Sequence, residues 1–206
     1  RTQYSSPVQV PGTTWKRVAM CRNALGVKTD GTLWAWGYSG TGVLGKNDTI
    51  NRSSPTQVGT DTTWSSEDGH LGTAAMRCGA FSAIKTDGTL WTWGMGSNGI
   101  LGQNSTAHKS SPVQVPGTTW STISASGGVM SAALKTDGTL WTWGGNNDGQ
   151  LGHNNRTEYS SPRQVPGTTW STTIAAGSGM GYAIKTDGTL WSWGYNTFGG
   201  LGQNNR

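Results

Sequence analysis

The residues best suited to metal chemistry stand together in one stretch, SSEDGH, which contains Glu67, Asp68 and His70. Two carboxylates and an imidazole are donor types that bind divalent cations. The stretch occurs once, however, within a Gly-rich segment, and a segment of this kind is typical of a solvated loop. We therefore expect neither a metal site nor a cofactor here.

Nucleophilic catalysis would need a Ser or Cys beside a His, together with a third group that orients the His. The three histidines, His70, His108 and His153, fall in turns or connectors, and none recurs at a fixed position. The Gly-rich stretches lack the G-K-S/T ending of a phosphate-binding loop. We therefore predict that the chain has no catalytic residues and is not an enzyme.

One heptad, KTDGTLW, recurs four times, with spacings of 57, 50 and 50 residues, starting at Lys28, Lys85, Lys135 and Lys185. Each copy is preceded by SSP-x-Q-V and T-T-W, and is followed by x-W-G, six variable residues and L-G. Internal repeats determine the fold of a chain. We expect one repeat domain, 1–206, whose units are approximately 1–52, 53–109, 110–159 and 160–206.

Each unit is predicted to consist of strands. In SAALKTDGTLWTWG, the step Asp137-Gly138 separates two apolar runs, which is a strong hairpin signal. Turn chemistry explains the Asp, and the Lys of the heptad is expected to be solvated at the surface. On the returning strand Trp141 and Trp143 share a face, opposite Leu140. About four short strands in a unit of roughly 50 residues fit one propeller blade.

The pattern ALKTDGTLWTWGGNNDGQLG resembles the regulator of chromosome condensation repeat, and all four units match its hairpin, W-G and L-G core. The resemblance implies an all-β fold, a β-propeller of typically about seven blades, in which four units would be part of a larger ring. Four blades could instead close alone, or two chains could pair. An open ring would expose strand edges and favour self-association.

Two further comparisons with the family refine this resemblance. Members of the family often have a His five positions before the heptad, whereas this chain has Asn23, Ala80, Met130 and Met180 there. Whatever that His contributes cannot be transferred to this chain. The segment SSPVQVPGTTW resembles bacterial and phage versions of the repeat more than the nuclear regulator.

The two cysteines, Cys21 and Cys78, occupy the same position, seven residues before the heptad, in successive units. The other two units have Gly128 and Ser178 there. A disulfide needs Cα atoms within about 7 Å of each other, which the spacing of blades would have to allow. We expect free, buried thiols in place of small residues rather than a bridge.

Charge and hydropathy argue against two classes of partner. The net charge of +5 is concentrated in residues 1–52, which carry seven basic residues against Asp30 and Asp48. A patch confined to one unit is weaker than the basic face of a nucleic-acid-binding protein, so no nucleic acid is expected. No apolar run approaches the roughly 20 residues of a membrane-spanning helix, so no membrane insertion is expected.

The two ends of the sequence fall at the same phase of the repeat. The segment LGQNNR followed by RTQYSSP would reproduce the internal HNNRTEYSSP. We therefore expect a trimmed piece of a longer repeat protein.

Because the repeated residues are explained as a frame, the candidate binding residues are those that vary after W-G. These stretches are YSGTGV, MGSNGI, GNNDGQ and YNTFGG. Aromatic and apolar side chains in loops suit the anchors of a protein interface. The predicted binding residues are Tyr38, Met95, Asn98, Asn146, Asn147, Asp148, Tyr195, Asn196 and Phe198.

The leading functional hypothesis is a non-catalytic propeller that binds another protein or a surface glycan through these loops. We favour a structural protein of a virion or a cell surface, and hence an extracellular or virion-associated location. The resemblance offers two alternatives. One is guanine-nucleotide exchange on a small GTPase, which the basic first unit favours and the missing His disfavours. The other is inhibition of a bacterial enzyme.

Overall fold

The computed structural model describes residues 3–74, 79–124, 128–177 and 179–204, of which 72–74 are described as backbone only. The described residues form antiparallel sheets and one short 3-10 turn, Ser97–Gly99. No helix among them has the length and apolarity needed to cross a membrane.

The sheets follow one another along the chain, and each is called a blade below. Blade one contains β1 (Trp15–Met20), β2 (Asn23–Lys28), β3 (Leu33–Gly37) and β4 (Arg52–Gln57). Blade two contains β5 (Leu71–Ala74), β6 (Ala80–Ile84), β7 (Leu90–Gly94) and β8 (Lys109–Gln114). Blade three contains β9 (Trp120–Ser124), β10 (Met130–Lys135), β11 (Leu140–Gly144) and β12 (Tyr159–Gln164). Blade four contains β13 (Trp170–Gly177), β14 (Met180–Lys185) and β15 (Leu190–Gly194).

The fourth strand of a blade carries the SSP-x-Q sequence that opens the next sequence unit. Thus β4 pairs with β3 in blade one, although nearly all residues of β4 lie beyond residue 52, where the first sequence unit ends. In the same way, β8 pairs with β7 in blade two and β12 pairs with β11 in blade three. Consecutive units are joined because each contributes a strand to the preceding sheet.

The blades are arranged around their first strands, since β1 contacts β5, β5 contacts β9 and β9 contacts β13. These strands form the inner edge, and the fourth strands lie outside. The prediction of an all-β propeller fold with about four blades is confirmed.

The hydrophobic core lies between successive blades. In each cluster, the apolar face of one sheet packs against two Trp residues of the next, one from T-T-W and one from W-G. Between blades two and three, for example, Leu90 and Leu101 belong to the same cluster as Trp120 and Trp143. The same arrangement joins blades one and two, and blades three and four.

The Trp of each W-G pair also hydrogen-bonds across the blade boundary. The indole N–H donates to the backbone carbonyl that precedes L-G in the blade before it. The three bonds are Trp93 to Val43 at 2.8 Å, Trp143 to Ile100 at 2.8 Å and Trp193 to Gln150 at 2.6 Å.

The predicted hairpins are present, and their turns form a repeated network. In blade three, the amide and hydroxyl of Thr139 donate to Asp137 Oδ1 at 3.0 and 2.6 Å, and the Trp141 indole donates to Thr139 Oγ1 at 2.8 Å. The Thr139 hydroxyl, and then its amide, lower the pKa of the Asp137 carboxyl. As predicted, Trp141 and Trp143 share a face, because the Trp120 ring contacts both.

The prediction that the lysine of the heptad is simply solvated is wrong. The ammonium of Lys135 lies 4.9 Å from the centroid of the Trp120 ring and 4.5 Å from that of Trp141. Each of the other blades has the same arrangement. A cation over aromatic faces is attracted by their quadrupoles, so this lysine joins two strands of its blade.

The expectation of free, buried thiols is also wrong for Cys21. This residue is exposed in the short connection between β1 and β2, and it forms a disulfide. It lies beyond the end of the inner strand rather than within it, so it does not take the place of a small core residue. Cys78 lies outside the described residues.

Candidate functional site

The predicted binding residues all lie on one face of the molecule. The hairpin turn between β2 and β3 marks one end of blade one, and the loop that follows Gly37 marks the other. The same relation holds in each blade. We call the end with the variable six-residue loops the loop face, and the end with the Asp-Gly turns the hairpin face.

The backbone of each variable loop is fixed by turn hydrogen bonds. In blade one, Gly42 N donates to Ser39 O at 2.8 Å, and Gly45 N donates to Gly42 O at 3.0 Å. Gly42 has φ +73°, a conformation that favours glycine. The residue after Gly42 supplies the carbonyl that Trp93 of blade two binds. Each internal loop is therefore held both by its own turn and by the next blade.

The second position of each loop serves the loop itself. Asn146 is fully buried, its amide donates to Asn155 O and Thr157 O at 3.0 and 2.8 Å, and its oxygen accepts from Leu151 N at 3.0 Å. In blade four, Asn196 accepts from Leu201 N at 3.0 Å. Asn146 therefore holds the connector of blade three against its loop, and Asn196 bonds to the end of its own loop.

The fourth position of the loops in blades one and two contacts the blade that follows. Thr41 Oγ1 donates to Gly79 O at 3.2 Å, and Asn98 donates to Glu158 Oε1 at 3.1 Å. Phe198 occupies the same position in blade four, where its ring is 87% exposed and contacts the Tyr195 ring at 6.2 Å. Asp148 is exposed at this position in blade three.

The third position of each loop is exposed, whereas exposure at the first position differs between blades. Tyr38 is 51% exposed, and Asn147 is exposed. Met95 and Tyr195 are half-buried, and a Cβ on Gly79 would lie 3.0 Å from Met95 Cβ. Of the nine predicted residues, the structure exposes Tyr38, Asn147, Asp148 and Phe198, and spreads them over several blades rather than gathering them in one pocket.

Sequence reasoning missed Ile50, which is 62% exposed in the connector between β3 and β4 on the loop face. Its signal was a single β-branched apolar residue within the polar run KNDTINR. Arg52 lies beside it, and its guanidinium donates to Ile50 O and to Asp48.

A cleft of about 720 Å³ lies on the opposite, hairpin face. Its walls are the Asp-Gly turns of blades one and two, the segment that contains Glu67 and His70, and Thr119 of blade three. Lys28 and Lys85 line it, but both ammonium groups are held against Trp rings. The cleft was not predicted, because it depends on how three blades meet.

The segment with Glu67, Asp68 and His70 links three blades. Asp68 forms an ion pair with Arg17 of blade one, and Gly69 O accepts from Ile123 N of blade three at 2.8 Å. His70 Nδ1 lies 2.7 Å from Ser65 Oγ. Burial lowers the pKa of the His70 imidazole, against the opposing effects of the Ser121 backbone and Glu67.

This segment is solvated only in part. Glu67 and Asp68 are exposed as expected, whereas His70 is half-buried. Within the described parts of the chain, no group of three or more His, Cys, Asp or Glu side chains is placed to hold a metal ion. Instead, the contacts of this segment connect blade two to blades one and three.

Comparison with known families and structures identifies the repeat. The family model "Regulator of chromosome condensation (RCC1) repeat" matches residues 30–81, 87–134 and 137–184, which is more than half of the chain. A second model of the same repeat matches residues 123–150 and 172–199.

Solved structures agree with this match. Human WBSCR16 superposes with a TM-score of 0.70 at 26% identity, covering 90% of this chain and 50% of that one. The structure of Kap60 bound to yeast RCC1 (Prp20) gives a TM-score of 0.75 at 19% identity, with coverages of 93% and 46%. Prp20p from Saccharomyces cerevisiae gives 0.68 at 23% identity, with coverages of 88% and 44%. The chain spans about half the length of these proteins.

Proposed function

Because the chain belongs to the regulator of chromosome condensation (RCC1) repeat family, we propose that it is a non-catalytic β-propeller module that binds a protein partner through its loop face. The observation that carries the proposal is the contrast within each loop. The backbone and the second position are fixed by hydrogen bonds, whereas Tyr38 and Asn147 are directed outward.

A fixed loop backbone favours binding because association then costs little conformational entropy. Tyr side chains are common among the residues that dominate protein interfaces, since they offer a large amphipathic surface with few rotatable bonds. Tyr38 and Ile50 together expose apolar surface on the loop face of blade one. Asn147 and Asp148 add polar groups on blade three.

The class of partner is supported by the similar structures. Yeast RCC1 is described in complex with Kap60, and Prp20p is described by its binding to Gsp1p and histones. We transfer only the class, a protein, and not these particular partners. A surface glycan is the second partner class, because aromatic, Asn and Asp side chains also suit sugars.

We further propose that the module is a structural protein at a virion or cell surface. Support comes from the segment Ser5–Trp15, SSPVQVPGTTW, whose sequence resembles bacterial and phage repeats. Antibody labelling of intact particles and cells tests this location. Labelling confined to the cell interior would contradict it.

The binding proposal is tested by site-specific photo-crosslinking in extracts of the source. The variants Tyr38→p-benzoylphenylalanine and Asn147→p-benzoylphenylalanine place the probe on the loop face. The matched control, Thr118→p-benzoylphenylalanine, places it at an exposed position on the hairpin face. We expect the same protein adduct from both loop-face probes and none from the control.

Competition with unlabelled chains tests whether the adduct forms by specific binding at the loop face. Unlabelled wild-type chain should suppress the adduct, and a Tyr38→Ala/Asn147→Ala chain should not. Adducts at Thr118 alone, or equal competition by both chains, would overturn the assignment to the loop face. Glycan-array binding lost in the same double variant would assign the partner as a glycan. Accelerated nucleotide release from a small GTPase, lost in the same variant, would identify the partner as a GTPase.

A further inference from the structure

The cleft on the hairpin face lies beside an insertion in the repeat. In blades one, three and four the first strand begins at the Trp of T-T-W, whereas in blade two it begins at Leu71, after residues 65–70. The sheet does not need this insertion, because Ile84 pairs on both sides of it. Ser65 N donates to Ile84 O at 3.0 Å, and Ile84 N donates to His70 O at 2.9 Å.

Contacts between blades account for only part of the insertion. Asp68 and Gly69 connect blade two to blades one and three. The side chains of Ser66 and Glu67 form no hydrogen bond or ion pair with the residues that the structure describes, and both line the cleft of about 720 Å³. The insertion therefore leaves two polar side chains available to a ligand in the cleft.

Carboxylates supply acceptors on the other walls of the cleft. Asp87 lies in the hairpin turn of blade two, where its Oδ1 accepts from the amide and the hydroxyl of Thr89 at 2.9 and 2.6 Å. Asp30 has the same contacts in the turn of blade one. In both residues, Oδ2 accepts no hydrogen bond from another described residue, and both side chains are exposed. The turn thus orients one carboxylate oxygen and leaves the other for a ligand.

One of the two lysines in the cleft lacks the carboxylate partner that the other has. Lys85 Nζ forms an ion pair with Asp61 at 2.8 Å. Asp61 stands three residues before the Trp of T-T-W, and Gly12 stands at the same position before β1. A Cβ on Gly12 would lie 3.6 Å from Lys28 Nζ, so this position faces the ammonium there too. Lys28 forms no ion pair with a described residue, and its ammonium lies over the Trp34 ring with N–H groups available to a ligand.

Hydroxyl groups complete the lining. Thr29, Thr86 and Thr136 are the second residue of the heptad in blades one, two and three, and all three are exposed in the cleft. Each hydroxyl can both donate and accept a hydrogen bond. Small-molecule sites are lined mostly by apolar groups, whereas hydroxyls, carboxylates and an ammonium open into this cleft. A ligand that fits it is polar and carries both donors and acceptors.

We propose that this cleft binds a neutral oligosaccharide. Its volume lies within the range of about 300–1,000 Å³ that small-molecule sites occupy. A sugar hydroxyl is a donor and an acceptor at once, so it can donate to the carboxylate of Asp87 or Glu67 and accept from the ammonium of Lys28. Hydrogen bonds to charged groups are stronger than neutral ones, so a few of them orient the sugar.

Other ligand classes fit the cleft less well. The carboxylates of Asp30, Glu67 and Asp87 outnumber Lys28, the cleft lysine without an ion pair to a described residue, which disfavours acidic sugars and phosphates. No group of three His, Cys, Asp or Glu side chains in the described ranges is placed to hold a metal ion. An apolar ligand would cover the carboxylates without replacing the hydrogen bonds of their water. The inference does not depend on the proposed binding at the loop face, which lies at the opposite end of the blades.

An oligosaccharide array followed by calorimetry tests the proposal. The probes are the linear gluco-, galacto-, manno- and N-acetylglucosamine trisaccharides, with trigalacturonic acid as the acidic comparison. We expect a neutral trisaccharide to bind with one-to-one stoichiometry, and trigalacturonic acid to bind about tenfold or more less tightly. On addition of the neutral sugar, the amide NMR signals of Glu67 and Thr86 should shift, and that of Asn147 on the loop face should not.

A double variant tests the carboxylates. Glu67→Gln/Asp87→Asn keeps the shape of both side chains, and the Asn oxygen can still accept from Thr89, so the turn is retained. It should weaken binding of the neutral sugar about tenfold or more. The matched control, Glu158→Gln/Asp187→Asn, makes the same change of charge on the loop face and in the hairpin turn of blade four, outside the cleft. It should bind as the wild type does, and both variants should keep the wild-type Tm.

Three results would overturn the proposal. They are binding of none of the neutral trisaccharides, equal loss of binding in the two double variants, and tighter binding of trigalacturonic acid than of any neutral probe. Loss of sugar binding in Tyr38→Ala/Asn147→Ala but not in Glu67→Gln/Asp87→Asn would assign the sugar to the loop face and would also overturn it. Failure here leaves the cross-linking test of the loop face unaffected, because that test uses probes at other positions.

Discussion

The indole of Trp143 donates a hydrogen bond to the carbonyl of Ile100 at 2.8 Å, across the boundary between blades three and two. Both side chains are buried in the same cluster. The same bond joins the other adjacent blades, from Trp93 and from Trp193. A buried carbonyl that loses its donor keeps its desolvation cost, so this bond contributes to the order of the loop as well as to packing.

Replacing Trp143 by Phe should lower the free energy of unfolding by about 2–4 kcal/mol, because the change leaves a cavity and an unpaired carbonyl. The matched control is Trp36→Phe, since Trp36 belongs to the first blade and is only half-buried. We expect a loss of about 1 kcal/mol or less in the control. Urea unfolding followed by circular dichroism measures both, and equal losses would contradict the role of the bond.

The glycine of L-G should be required only where a Trp of the next blade packs against it. A Cβ on Gly102 would lie 2.8 Å from Trp143 Nε1, whereas a Cβ on Gly202 would meet nothing within 4 Å. The two glycines have nearly equal φ values, +69° and +68°, so the backbone strain of an alanine is common to both variants.

Gly102→Ala should therefore lower the free energy of unfolding by about 1–3 kcal/mol more than Gly202→Ala, because only the first variant crowds a Trp ring. Thermal and urea unfolding of the two variants give this difference. If both variants lower the free energy of unfolding equally, backbone conformation rather than the Trp contact explains why glycine is needed at this position.

Much of the frame could be predicted from the sequence because it is repeated. Asp137 and Gly138 specify a turn by their own conformational preferences, and alternation along the strand places Trp141 and Trp143 on one face. The contacts of the heptad lysine could not be predicted, because local patterns do not show that T-T-W brings a second Trp ring to its ammonium. That contact joins residues on two strands.

Less of the loops than of the frame could be predicted from the sequence. Asn146 and Asp148 look alike in sequence, and only the three-dimensional structure shows that one is buried beneath the connector while the other is exposed. Likewise, nothing in the letters SSEDGH shows that Gly69 and Asp68 contact two other blades. Variation between repeats identifies the variable face of the molecule. It does not distinguish residues exposed on that face from residues that pack within or between the blades.

The Asp–Thr–Trp network at the hairpin turns should stabilise a buried blade more than an exposed one. Thr139→Val keeps the shape of the side chain but removes the acceptor of the Trp141 indole and one donor to Asp137. We expect a loss of about 1–2 kcal/mol. The control is Thr189→Val in blade four, where the same residues are exposed to water, and the loss should be smaller.

The same variant has a second measurable effect. Because the Thr139 hydroxyl is the main cause of the lowered pKa of Asp137, the pKa should rise toward its ordinary value in Thr139→Val. Carboxyl chemical shifts followed by NMR over an acid titration measure this change. An unchanged Asp137 pKa would contradict the proposed hydrogen bond.

Stability should fall between neutral and mildly acidic pH because His70 is half-buried. Burial lowers the pKa of its imidazole below the ordinary 6.5 in the folded chain. The unfolded chain therefore binds a proton more readily, and stability that is complete above about pH 6.5 is lost as the pH falls through the folded pKa. The charged groups near His70 are Glu67, which opposes the shift, and Arg17, which adds to it.

His70→Asn should reduce the slope of unfolding free energy against pH between about pH 7 and 5, as measured by urea unfolding at several pH values. A residual slope of the same sign is expected from His153, whose pKa is also lowered by burial. The double variant His70→Asn/His153→Asn should flatten the profile further, because the two sites are far apart in sequence and lie in different blades. If His70→Asn left the slope of unfolding free energy against pH unchanged, the stability of the fold would not depend on a neutral His70 imidazole.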